Sequence, residues 1–180
     1  MFTTPFKDLE GRPVIWIRSA LYKKSDLSPI VKQYLVFLFE KLDSQTSHEG
    51  WATVSDSTGA GLSNVDMDYT NFVTEVLQSY YPRGTKYMAV VDLPWILNAT
   101  AKLILSFMNE ELKSRIKFIK KEELTQYMDP QYIPVHLNGS YDKDLVVIPD
   151  GVKPLEELTH AKLTANQIKK IYSTFKLELK

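Results

Sequence analysis

Cysteine is absent from this 180-residue chain, which excludes disulfide scaffolds and thiolate metal sites outright. Net charge is absent as well, since 22 Lys and Arg balance 22 Asp and Glu. No bulk field therefore draws the chain toward nucleic acid or an anionic surface, and any attraction to phosphate must be local. No uncharged apolar run approaches the ~18 residues of a transmembrane helix. The opening residues Met1-Phe2-Thr3-Thr4-Pro5 lack the basic and apolar regions of a signal peptide. His48, His136 and His160 are scattered without metal-binding spacing. No G-x-S-x-G elbow gives Ser55 or Ser57 a nucleophile's geometry. Asp56, Asp66 and Asp68 read as a turn residue and two helix N-terminal charges rather than a metal cluster. The expectation is a chain with no catalytic residue, no bound metal and no cofactor.

What is present is an alternation of strands and helices. Arg12-Pro13-Val14-Ile15-Trp16-Ile17-Arg18 is β-branched and aromatic, as a first strand should be. A helix follows with Ser28 as cap and Pro29 in its first turn; Leu27, Val31, Tyr34, Leu35, Leu38, Phe39 and Leu42 recur at helical spacing. Residues 43–50 read as loop, and Trp51-Ala52-Thr53-Val54-Ser55 as a buried strand. Asn64 or Ser63 is the expected cap of a second helix, with Tyr69, Phe72, Val73, Val76, Leu77 and Tyr80 as its inner face. Tyr87-Met88-Ala89-Val90-Val91 is almost continuously apolar, the pattern of a strand covered on both faces. A third helix is expected from about residue 97 to 113, a fourth strand at Ile116-Lys117-Phe118-Ile119, and a short helix over residues 121–128. Such alternation implies right-handed crossovers and a largely parallel sheet in one α/β domain.

The expected domain spans residues 1–145, followed by an extension over 146–180. In that extension Thr164-Ala165-Asn166-Gln167 has the form of a capping box. Behind it, Ile168, Ile171, Tyr172, Phe175 and Leu179 form one face of a helix flanked by Lys169, Lys170, Lys176 and Lys180. This basic amphipathic helix is expected to pack on the domain, with a protein partner as the alternative.

Two segments invite a functional reading. Gly59-Ala60-Gly61 lies between a strand and a helix, as in a dinucleotide-binding fingerprint, but Asn64 stands where the third glycine belongs. The stretch from Trp95 to Met108 carries Lys102 as its single charge and apolar residues on more than one face. A helix of that kind is buried on two sides. The plain account is a core helix; the functional account has one face on a lipid cavity and another on a bilayer.

Read in order, several pieces resemble the CRAL-TRIO family of lipid-binding domains. They are Asp56-Ser57-Thr58-Gly59-Ala60-Gly61-Leu62, Tyr80-Tyr81-Pro82, Asp92-Leu93-Pro94-Trp95-Ile96-Leu97-Asn98-Ala99 and Ser114-Arg115-Ile116-Lys117-Phe118. Tyr132-Ile133-Pro134-Val135-His136-Leu137-Asn138-Gly139 resembles the family's closing motif, with Asn138 where glycine is usual. Within the family, Gly59-Ala60-Gly61-Leu62-Ser63-Asn64 with Asp66-Met67-Asp68, and the first strand, are most similar to the motile sperm domain-containing protein 2 group.

The resemblance implies a sheet floor, flanking helices and a gate helix over residues 98–113, enclosing an apolar cavity for one phospholipid or other hydrophobic ligand. It implies lining or gate roles for Phe72, Val76, Val90, Leu97, Ala101, Ile104, Phe107, Met108, Phe118 and Ile119. Lys102, Leu105, Phe107 and Lys113 would meet the membrane. Arg115 is matched to a lipid phosphate, with a surface arginine at a helix C-terminus as the open alternative. Arg83 stands where inositol-binding relatives have an acid, which argues against inositol recognition. The implied setting is the cytoplasm, peripheral to organelle membranes, alone or within a longer protein anchored in the endoplasmic reticulum. Two other accounts stay open: an interaction module on the same fold, and a small-molecule α/β enzyme using the Gly59-Ala60-Gly61 turn.

Overall fold

A computed structural model describes residues 6–24, 28–47, 49–142, 157 and 164–175. The chain divides into two compact units, Met1–Lys143 and Asp144–Lys180. The first is built on strands β1 (Val14–Arg18), β2 (Trp51–Asp56), β3 (Thr85–Val91) and β4 (Ile116–Ile119), all parallel and in the order β1-β2-β3-β4. Helices α1 (Ser28–Gln45) and α2 (Met67–Ser79) make the first two crossovers. The third is made by α3 (Asn98–Ser106) and α4 (Glu110–Ser114). A strand order that never reverses puts every right-handed crossover on the same side of the sheet. The core confirms this, because Ile15 and Trp51 pack with Leu35, Phe39, Val76 and Leu112 from three of the helices.

Strand periodicity then gives the sheet two different faces. Val14, Trp16, Ala52, Val54, Ala89 and Val91 share the face away from the helices, and each is fully buried. They are covered by Phe6 and by residues 121–142, a string of 3₁₀ turns rather than the expected short helix. Within that cover Leu124, Met128, Ile133 and Leu137 are buried, the Tyr127 ring lies 5.1 Å from Tyr87, and Phe6 sits 5.8 Å from Trp16. His136 Nε2 reaches Asp56 Oδ2 at 2.9 Å, joining the closing motif to the end of β2. Asn138 adopts a left-handed φ of +67°. That explains how it replaces glycine, since Asn is among the few residues that tolerate this region.

Several boundaries differ from expectation for local reasons. α1 runs on to Gln45 through residues that read as loop. The cap of α2 is Asp66, which accepts from the Tyr69 amide at 3.1 Å. Asn64 instead accepts from Gly61 N at 2.9 Å and donates to Ala20 O and Tyr22 O at 3.1 and 2.9 Å, tying the Gly59-Ala60-Gly61 turn to the exit of β1. The single helix expected over residues 97–113 is broken. Ser106 Oγ turns back on Leu103 O at 2.6 Å, and Asn109 caps a fresh helix by accepting from Leu112 N at 2.8 Å. Tyr80, expected on the inner face of α2, lies just past its end and is exposed, while Thr74 is buried.

In the second unit, helix α5 (Ala165–Phe175) begins with the expected capping box. Thr164 N donates to Gln167 Oε1 at 2.8 Å and Gln167 N to Thr164 Oγ1 at 3.3 Å. Leu27, His48, Leu179, Lys176 and Lys180, and the side chain of Phe175, lie outside the described residues. No described helix is long and apolar enough to cross a membrane.

Candidate ligand cavity

On the helix side, the sheet does not meet its helices everywhere. Ile17, Ser55, Met88, Val90, Ile116 and Phe118 occupy alternate strand positions in register with one another and floor a cavity of about 290 Å³. This is why β3, which reads as a strand covered on both faces, is only partly buried at Met88 and Val90. The roof is α2 and α3. Tyr69, Val73 and Leu77, at i, i+4 and i+8, point down from α2, and Leu97, Ala101, Ile104 and Leu105 from the start and length of α3, with Met108 from the link to α4. Leu112 of α4 closes one end. A second hollow of about 460 Å³ shares Val90, Leu93, Ala101, Leu105 and Phe118 with the first and has Lys102, Lys120 and Glu123 on its rim.

The opposite end of the main cavity is polar. Ser19 and Ser55 share a hydrogen bond of 3.1 Å between their hydroxyls. Asp66 Oδ2 accepts from the Tyr22 hydroxyl at 2.8 Å, and Lys24 Nζ stands 4.0 Å from its Oδ1. Burial alone would raise the pKa of Asp66, but the bonds from Tyr22 and the Tyr69 amide, with Lys24, bring it below the usual carboxylate range. Burial and the same carboxylate push Tyr22 upward and Tyr69 up to about 12, so both phenols stay neutral.

The expected site residues separate into groups. Val90, Leu97, Ala101, Ile104, Met108 and Phe118 all line the cavity. Phe72 and Val76 do not. They lie about 100° around α2 from the lining row, in contact with the α1–α2 core, and Lys32 Nζ sits 5.0 Å over the Phe72 ring. Ile119 turns with Val91 to the covered face of the sheet and borders only the second hollow.

Among the residues expected at the membrane, Leu105 faces the cavity instead, and Lys113 is paired with Glu110 Oε1 at 2.6 Å. Phe107, expected to line the cavity as well as meet the membrane, is absent from the cavity wall; it and Lys102 are exposed. The outward apolar surface is Trp95, Ile96, Leu103 and Phe107, from 45% to 82% exposed. Arg115 does not face the cavity. Its guanidinium donates to Pro82 O at 2.6 Å, Thr85 O at 3.0 Å and Glu111 Oε1 at 2.5 Å, which holds the end of α4 to the start of β3.

Sequence reading missed Ile17, Ser55, Met88 and Ile116, although counting by twos from Val90 and Phe118 across the strands would have found them. Tyr22 and Ser57 carry no such signal, because they reach the cavity from loops.

The family profile for the CRAL/TRIO domain matches residues 1–139. The chain belongs to the CRAL/TRIO domain family. Its similarity to individual members is low. A CRAL-TRIO domain-containing protein of Schizosaccharomyces pombe is 28% identical over 137 residues, covering 74% of this chain and 31% of that protein. A second from the same yeast is 24% identical over 154 residues, covering 76% of this chain and 42% of that protein. The chain therefore spans less than half the length of these relatives. The crystal structure of Sfh5 superposes with a TM-score of 0.61 at 23% identity, covering 79% of this chain and 55% of that one. That CRAL/TRIO likeness establishes the same fold. The cavity described above accordingly sits in a CRAL/TRIO domain, between its parallel sheet and its crossover helices.

Proposed function

We propose that this domain shelters one hydrophobic ligand in the cavity beneath α2 and α3 and exchanges it at membranes. The observation that carries this reading is the apolar cavity itself, floored by alternate strand residues that an ordinary core would cover with helix. Leaving Met88, Val90 and Ile116 without close packing sacrifices dispersion contacts, so the empty state is the less stable one. A lipid tail restores those contacts and avoids about 0.8 kcal/mol of exposure to water for each methylene buried. The stretch from Trp95 to Phe107 supplies the second half of the task. It lines the cavity with Leu97, Ala101 and Ile104 and presents Trp95, Ile96, Leu103 and Phe107 outward. One segment thus touches both ligand and solvent, as a gate that opens on contact with a bilayer must. Lys102 adds weak attraction to anionic headgroups, about 1 kcal/mol per charge.

In this reading the domain acts at the cytoplasmic surface of organelle membranes, with no cofactor beyond its ligand. Any anchor or further domain of a longer protein would set which membrane it serves. The turn residues, Asp66-Met67-Asp68 and the first strand support a place near the motile sperm domain-containing protein 2 group.

The test is native mass spectrometry of the purified chain, followed by lipid extraction and a transfer assay between donor and acceptor liposomes. One lipid per chain is expected, with transfer slowed in a Leu103→Asp, Phe107→Asp variant that melts at the temperature of the parent. A protein that arrives empty and takes up nothing from mixed liposomes would refute the reading.

A further inference from the structure

The chemistry of the cavity wall narrows the class of ligand, given that the domain carries a lipid at all. Among the described residues, no Lys, Arg or His lines the main cavity. The one charged residue among the described lining is Asp66, which is negative and already engaged by Tyr22 and the Tyr69 amide. Arg115, the one basic residue that sequence pointed toward a phosphate, spends its guanidinium on Pro82, Thr85 and Glu111. An anionic headgroup drawn into this space would lose its water and face a carboxylate of its own sign, and the one nearby cation, the exposed Lys24, is already shared between Asp66 and Asp68 at 4.0 and 3.7 Å.

Hydroxyls are what the wall does provide. Ser57 is 3% exposed and Thr74 5% exposed, and both line the cavity. Neither hydroxyl has a hydrogen-bond partner among the described residues, whereas Thr70 satisfies its own on Asp66 O at 2.8 Å. The backbone of Ser57 is fully engaged, its amide with Val91 O and its carbonyl with Ala60 N, both at 3.0 Å. Neither hydroxyl oxygen is among the sealed, unpartnered polar atoms of the core, so both hydroxyls reach the open space of the cavity and mark a place where a ligand completes the bond. The volume of about 290 Å³ lies at the lower edge of the ~300–1,000 Å³ usual for ligand pockets, which suits a single hydrocarbon body.

We infer that the ligand of this cavity is an uncharged lipid, one hydrocarbon body carrying a hydroxyl or carbonyl that Ser57 and Thr74 hydrogen-bond, and not a phospholipid with an anionic headgroup. The rim of the second hollow, with Lys102 and Lys120 both exposed and Glu123 between sheet and solvent, is where a phosphate would have to stay if the inference is wrong.

The full chain is incubated with phosphatidylcholine vesicles containing equal mole fractions of oleyl alcohol, 1-octadecene and phosphatidylinositol, separated from them, extracted and quantified. Oleyl alcohol should be recovered more than about tenfold over phosphatidylinositol, since the latter must bury a charge without a partner. A Ser57→Ala, Thr74→Val variant should lose oleyl alcohol by about fivefold, as one net hydrogen bond is worth, with 1-octadecene recovered as before. Phosphatidylinositol recovered at or above oleyl alcohol would overturn the inference, and its loss on Lys102→Glu, Lys120→Glu would place the headgroup at the rim. Equal recovery of alcohol and alkene by both proteins would also overturn it, because the hydroxyls would then read nothing. Recovery of no lipid of any kind would instead remove the carrier reading on which this inference stands.

Discussion

Placing the same residue on the two faces of one sheet separates a void from a packed core. Ala101 projects into the cavity from α3, and Ala89 lies on the fully buried opposite face of β3. Phenylalanine at position 101 has space available, because the cavity of about 290 Å³ exceeds the volume the ring adds. Full burial of such a side chain is worth ~1.5–3 kcal/mol. Ala101 is itself half-buried beside an open mouth, so a gain of about 1–2 kcal/mol is expected for the empty protein. For a chain of this length that corresponds to a Tm higher by about 2–8 °C. At position 89 the ring meets Val54, Val91 and the cover of residues 121–142, and overpacking of this kind costs ~1–3 kcal/mol or more. The assay is thermal unfolding of delipidated Ala101→Phe and Ala89→Phe, with lipid uptake measured beside it. Ala101→Phe should melt higher and take up far less lipid; Ala89→Phe should melt lower. If Ala101→Phe melts lower by as much as Ala89→Phe, the space above Val90 is not a void and the reasoning fails. If it melts higher but binds lipid undiminished, the ligand lies elsewhere.

Four further outcomes follow from the same structure. Asp66→Ala removes the cap of α2 and the acceptor of the Tyr22 hydroxyl at once and should cost about 2–3 kcal/mol in urea unfolding; a loss under about 0.5 kcal/mol would mean that neither bond matters. Because the Asp66 pKa is lowered on folding, its contribution is present above the ordinary carboxylate value and fades as pH falls through the folded one, so Asp66→Asn should flatten the acid side of the stability profile below about pH 4. At the other extreme Tyr22, Tyr69, Tyr81 and Tyr87 all have raised pKa values, Tyr69 up to about 12. The stability they supply is complete below the ordinary tyrosine value and is lost as pH climbs past it, so absorbance titration should show phenolate appearing together with unfolding rather than ahead of it. Asn138→Gly should leave stability within about 0.5 kcal/mol while Asn138→Val costs ~1–2 kcal/mol, because the left-handed backbone at this position excludes a β-branched side chain.

Much of the fold was legible because its signals are local. The β4 residues Ile116–Ile119 and the capping box at Thr164 and Gln167 needed only their own side chains to be read. The break between α3 and α4 was not, because apolar periodicity runs straight through Phe107 and Met108 while Ser106 and Asn109 act on the backbone. Asp66 won the cap of α2 from Asn64 for a similar reason, since Asn64 was drawn away by carbonyls of residues 20 and 22 that only the tertiary fold brings near. The cavity was half legible. Val90, Leu97, Ala101 and Ile104 announced themselves as apolar, but sequence could not tell which apolar face of α2 meets a helix and which meets a hole. Phe72 and Val73 are neighbours in the chain and both pack on the core, yet only Val73 also lines the cavity. Arg115 shows the limit most plainly. Charge and position suggested a phosphate, and three protein acceptors already occupy it.

A sheet whose strands never reverse their order has one inheritance on each side. Val14, Trp16, Val54, Ala89 and Val91 are committed to keeping the domain folded, while Ile17, Ser55, Met88, Val90, Ile116 and Phe118 stand one residue away on the same strands and answer to a different demand. Variation at the second set can reshape what is carried without touching the first. A combinatorial library confined to those six positions should stay folded in most of its members while its cargo preferences scatter, so that new carriers can be drawn from this scaffold by editing alternate letters of four short words.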